Sequence, residues 1–109
     1  MKIDKAYIQD ILSVIAEIES FTQGLTYEDF LENREAYRAV ERDFEIIGEA
    51  VKRLSEAFKE QHPEIPWKDI AGFRNVLIHE YAAINALTVW ESFERDIPPL
   101  KVCLKNALL

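Results

Sequence analysis

Arg74-Asn75-Val76-Leu77-Ile78-His79-Glu80-Tyr81 puts a guanidinium, an amide, an imidazole and a phenol into two turns of an expected helix, and it holds one of the chain's two histidines. A histidine with an unperturbed pKa of about 6.5 can remove or return a proton near neutrality. An arginine is always charged and offers a bidentate fork to an oxyanion. Together they suit one reaction class well. In RNA the 2′-hydroxyl can attack its neighbouring phosphate: His79 would handle the proton, and Arg74 would stabilise the charge on five-coordinate phosphorus. Asn75 could orient the phosphate or the histidine. Tyr81 could hydrogen-bond, stack on a base or accept a modifying group. The same string also suits a plain amphipathic helix, with Arg74 in a salt bridge, His79 structural and Tyr81 in the core with a wet hydroxyl.

Helix geometry constrains the first reading. At about 100° per residue, Arg74, Ile78 and Tyr81 share a face and Asn75 and His79 share the adjoining one, which leaves Arg74 and His79 about 140° apart. One straight helix does not bring both to a small ligand. Two copies of the helix in a symmetric homodimer would bring two Arg and two His to one cleft.

The elements that must position this run read as helices throughout. Ile3, Tyr7, Ile8, Ile11, Leu12, Ile15, Ile18 and Phe21 step by three and four, predicting a helix over 3–21 that ends at Gln23-Gly24. Thr26 is placed to cap a short helix over 27–33, with Asp29 answering the cap. The longest helix is expected over 34–60, on the unbroken seam Tyr37, Val40, Phe44, Ile47, Val51, Leu54 and Phe58. Beside it runs Ala36, Ala39, Asp43, Ile46, Ala50, Arg53 and Ala57, a row of mostly small residues that either admits another backbone or borders the core. Gly48 inside this helix fits a close helix crossing or simple tolerance. Pro63 and Pro66 break the pattern, and Pro66 opens a helix over 67–81 with a heavy apolar load. Asn85 is a candidate cap for a helix over 86–96, which Pro98-Pro99 would stop before a last short helix. The expected fold is all-α: an antiparallel bundle of four to six helices around one long central helix, in a single domain over 1–109.

Composition narrows the classes. The net charge is -7, so RNA contact must come from a local patch, not bulk attraction to phosphate. Arg34, Arg38 and Arg42 form either a phosphate track or a solvated face alternating with Glu35, Glu41 and Glu45. The single cysteine, Cys103, allows no internal disulfide, and with two histidines it cannot complete a zinc cage of Cys and His alone. It is expected as a small core residue, His62 as an exposed loop residue, and Trp67 and Trp90 as core anchors. No metal or other cofactor is expected. No stretch approaches a membrane span and no basic leader opens the chain, so a cytoplasmic protein is expected.

Arg74-(four residues)-His79-x-Tyr81, with Asn75 after the arginine, resembles the signature of the HEPN superfamily and specifically its HepT-like toxins. The likeness extends to Ile46-Ile47-Gly48-Glu49-Ala50, Ile65-Pro66-Trp67, Val89-Trp90 and Pro98-Pro99-Leu100 in order. It implies a HEPN-type helical bundle that forms homodimers with the motif helices meeting at the interface. It implies a metal-independent endoribonuclease toxin leaving a 2′,3′-cyclic phosphate, with Arg74, His79 and Asn75 at the catalytic centre. It also implies a toxin–antitoxin partner, a small nucleotidyltransferase (the HEPN/MNT, or HepT–MntA, arrangement) that silences the toxin by placing AMP on Tyr81. Glu49, in the resembling block, could orient Arg74 across the bundle or be a surface acid. Ala82 stands where the family often has an aromatic, and Asn85 where it often has an acid; both bear on substrate and partner preference. The alternative is a non-catalytic helical dimer that binds a nucleotidyltransferase or a nucleotide through the same cleft.

Overall fold

The computed structural model describes residues 2–72 and 82–109. Among them there are seven helices and no strand: α1 (Lys2–Thr22), α2 (Tyr27–Glu32), α3 (Arg34–Arg53), α4 (Glu56–Glu60), α5 (Trp67–Ala71), α6 (Ala82–Arg95) and α7 (Ile97–Ala107). The all-α class is as expected, but the helices among the described residues exceed the four to six expected, and α1 with 21 residues is slightly longer than α3 with 20.

The core is built on α1 and α3. Ile8, Ile11, Ile15 and Ile18 of α1 are buried against Val40, Phe44, Ile47 and Val51 of α3. The two helices run antiparallel. Asp4 at the start of α1 meets Ser55 just past α3, and Glu17 near the far end of α1 meets Asp43, an earlier position of α3. Lys101 of α7 adds an ion pair to Glu19 of α1 at 2.8 Å. Phe30 of α2, fully buried, sits between Tyr37 of α3 at 5.8 Å and Trp90 of α6 at 5.1 Å between ring centroids. This aromatic group ties the start of α3 to α6.

Local chemistry sets the boundaries. Gly24 takes φ +78°, a left-handed conformation that L side chains rarely adopt, and turns the chain out of α1. Thr26 and Asp29 form the reciprocal cap: Asp29 N–H donates to Thr26 Oγ1 at 3.1 Å, and Thr26 N–H donates to Asp29 Oδ2 at 3.2 Å. Asn33 closes α2 and caps α3, its Oδ1 accepting from Ala36 N–H at 3.0 Å.

Two boundaries differ from expectation. The helix expected over 34–60 is broken at Leu54-Ser55. Ser55 is extended and its Oγ accepts from Phe58 N–H at 3.1 Å, so it starts a new helix, α4. Buried Asp4 fixes the break by accepting from Ser55 N–H at 2.8 Å and Ser55 Oγ–H at 2.7 Å. The apolar seam hides this, because Leu54 and Phe58 stay buried on both sides. The helix expected from residue 86 is already formed at Ala82, so Asn85 lies inside α6 and not at its cap; the alanines at 82, 83 and 86 favour that earlier start. As expected, α6 ends just before the prolines, at Arg95, and Pro98 and Pro99 stand in the first turn of α7. Prolines fit there because the first N–H groups of a helix have no intrahelical partner.

Candidate functional site

Arg74, Asn75, His79 and Tyr81 lie outside the described residues, as does most of the helix expected over 67–81. The frame around them is described. The chain enters the run from α5 and Gly72, and leaves it into α6.

The α5 helix is held at both ends. At its start Trp67 Nε1–H donates to His62 O at 2.9 Å and Lys59 O at 3.1 Å, while the indole meets the edge of Phe58 at 5.9 Å. At its end, α5 lies against Gly48 of α3. A Cβ built on Gly48 would stand 3.3 Å from the carbonyl oxygens of both Ile70 and Ala71. The backbone at the close of α5 therefore rests where a side chain would otherwise be. This explains a glycine that costs about 1 kcal/mol against alanine inside a helix. Ile70, fully buried, completes the contact. On the other side of the run, Val89 is buried and Trp90 packs on Phe30, fixing α6.

Glu49 follows Gly48 on α3 and is partly exposed, with Oε1 3.8 Å from Lys52 Nζ. Its expected pairing with Arg74 lies outside the described residues. Glu49 lines an open groove of about 400 Å³ between α1 and α3, with Tyr7, Asp10, Arg42, Glu45 and Arg53. The groove mixes both charges. Arg34, Arg38 and Arg42 are exposed, and Arg42 stands 3.8 Å from Glu45 with 74% of its side chain in solvent. That row fits a solvated face better than a continuous cationic track.

Two polar groupings were not visible as such in the sequence. Asp43 is only 4% exposed, and its Oδ2 has no hydrogen-bond partner among the described residues. Burial pushes its carboxyl up to about 6, the charge and hydrogen bonding of Glu17 push the same way, and Arg42 pulls back. The only signal was an acid in a row of small residues. The second grouping joins His62, Glu64 and Cys103, whose donor atoms all lie within 4.8 Å of one another. His62 is not the exposed loop residue expected: its ring packs at a tilt against Phe58, 4.8 Å between centroids, and its Nδ1 is 3.5 Å from Glu64 Oε1. Cys103 is buried as expected, and burial, then the nearby Glu64 charge, raises its thiol pKa.

Among the described residues no helix is long and apolar enough to cross a membrane. The family model described as ribonuclease HepT-like matches residues 11–107. The probable ribonuclease HepT of Thermococcus cleftensis is 44% identical, over 89% of this chain and 88% of its own length. A protein of Caldanaerobacter subterraneus subsp. tengcongensis, provisionally named an RNase, is 41% identical over 99% of this chain and 96% of its own. Another provisionally named RNase, from Methanocaldococcus jannaschii, is 44% identical over 89% and 84%. No solved structure gives a significant match.

Proposed function

From the premise that the chain belongs to the HepT-like ribonuclease family, we propose that it is a metal-independent endoribonuclease acting as the toxin of a toxin–antitoxin pair. The observation that carries this is the Arg74-x4-His79-x-Tyr81 string, which follows directly on a helix docked against Gly48.

His79 takes the proton of a ribose 2′-hydroxyl, and the freed oxygen bonds to the adjacent phosphorus. The bond from phosphorus to the 5′-oxygen breaks, and His79 returns the proton to that oxygen. The products are a 2′,3′-cyclic phosphate and a 5′-hydroxyl. Arg74 holds the extra charge on phosphorus in the transition state, and Asn75 orients the phosphate. Because Arg74 and His79 would diverge on one straight helix, a homodimer supplies the two halves of the cleft. Glu49, on the helix that seats α5, supports Arg74.

Tyr81 is the control point. A nucleotidyltransferase partner joins the α-phosphorus of ATP to its phenolic oxygen and releases pyrophosphate. The added AMP brings charge and bulk beside the arginine.

The test is His79→Ala. RNA cleavage is lost while the dimer and the helical content persist; unchanged cleavage would remove His79 from the mechanism. In parallel, Tyr81→Phe takes no AMP from the partner enzyme and ATP, and mass spectrometry finding AMP elsewhere with Tyr81 bare would refute that assignment. The net charge of -7 favours a second reading, a non-catalytic dimer that binds the nucleotidyltransferase. Tight binding to that partner with RNA left intact would support it.

A further inference from the structure

Away from the motif run, the loop between α4 and α5 faces α7 across a cleft of about 500 Å³ lined by His62, Glu64, Pro98, Val102, Cys103 and Asn106. Three donors of different chemistry meet there: an imidazole nitrogen, a carboxylate oxygen and a sulfur, all within 4.8 Å of one another. We propose that His62, Glu64 and Cys103 form a binding site for a thiophilic divalent cation of the zinc type, which pins the α4–α5 loop to α7.

The distances fit. Zinc bonds to nitrogen and oxygen at about 2.0–2.2 Å and to sulfur at about 2.3 Å, so donors at two corners of its tetrahedron stand about 3.4–3.6 Å apart. His62 Nδ1 and Glu64 Oε1 already stand 3.5 Å apart. The sulfur needs only a small approach from its present position.

Two of the three donors are held in place. The His62 ring packs at a tilt against Phe58, 4.8 Å between centroids, and its backbone carbonyl accepts from the Trp67 indole N–H at 2.9 Å. Cys103 sits on α7 with 8% exposure, against the cleft wall. The Glu64 side chain, 62% exposed, is the least constrained of the three. The fourth position opens on the cleft, where water or the Asn106 amide completes the shell.

The donor set selects the metal. A thiolate and an imidazole favour zinc, cobalt or copper, whereas magnesium and calcium take oxygen shells. A site of Cys and His alone cannot be completed in this chain; a carboxylate and one open position remove that obstacle. Chain order gives the site its consequence. The α4–α5 loop leads directly into α5, whose end rests on Gly48, so a bound ion stiffens the approach to the motif run. This role is structural and independent of the ribonuclease reading.

Cobalt(II) titration of the purified full chain, with EDTA removed, tests the site. The expected result is saturation at one cobalt per chain, with thiolate-to-cobalt charge-transfer absorption and the visible bands of tetrahedral cobalt. Cys103→Ala loses the charge-transfer band. Glu64→Gln, a change at an exposed side chain, keeps the helical content and weakens cobalt about tenfold or more, as does His62→Gln. Lack of saturable binding overturns the proposal. So does a band that survives in Cys103→Ala, or cobalt affinity unchanged in both Glu64→Gln and His62→Gln, which would mark a lone thiol.

Discussion

Replacing Asp43 by asparagine should make the protein more stable at neutral pH and leave it nearly unchanged in acid. Asp43 is 4% exposed between α1 and α3, with one carboxylate oxygen unpartnered among the described residues. Its pKa moves from an ordinary 3.8 to about 6 in the fold, through burial first and Glu17 second. The folded state therefore prefers the protonated acid. Its contribution is fully present below the unfolded value of 3.8 and is lost as pH rises through about 6. A shift of about two units corresponds to about 3 kcal/mol carried as a cost above neutrality. Asparagine has the same shape, stays neutral at every pH and can donate to Glu17. Urea unfolding of both chains, followed by far-ultraviolet circular dichroism from about pH 4 to about pH 8, isolates the effect of Asp43 together with its partner Glu17, since the more distant carboxylates cancel in the difference. The stability gain should be near zero at the acid end and grow to about 3 kcal/mol at the alkaline end. A difference that does not vary with pH, or a variant less stable at about pH 8, would refute the reasoning.

Gly48→Val should destabilise the chain by about 1–3 kcal/mol, because its side chain meets two carbonyls already 3.3 Å from a simple Cβ. RNA cleavage should fall by more than the unfolded fraction explains, since α5 must move; full activity in the folded variant would show that its seat on α3 does not matter. Asp4→Ala should cost about 1–3 kcal/mol by stripping both hydrogen bonds from Ser55. Burial alone would raise the Asp4 pKa, but the Ser55 hydroxyl and N–H outweigh it and hold it below 3.8. Its contribution is present above 3.8 and lost as pH falls through the lower folded value. The deficit of the variant should therefore shrink in strong acid, and a deficit independent of pH would contradict this.

The helical class was legible because apolar spacing carries it directly: Ile8, Ile11, Ile15 and Ile18 on α1 and the seam of α3 are the buried residues of the core. The caps at Thr26 and Asn33 are local side-chain chemistry, and the first could be read in place. The break at Ser55 could not be read from periodicity, since Leu54 and Phe58 keep the seam intact across it. Its cause is tertiary, a carboxylate on α1 distant in the chain. Gly48 was ambiguous for the same reason, because the backbone resting on it belongs to another helix. His62, Glu64 and Cys103 come together only through the packing of α7 on the α4–α5 loop, which no spacing in the chain encodes. The motif residues show the reverse case: type and spacing suggest a chemistry for Arg74, Asn75, His79 and Tyr81, which lie outside the described residues.

The central claim is tested most directly by incubating the purified chain with RNA in EDTA and determining the new ends. The account predicts internal cleavage that leaves 2′,3′-cyclic phosphate and 5′-hydroxyl ends. RNA left intact, or cut only when a divalent cation is restored, would contradict it.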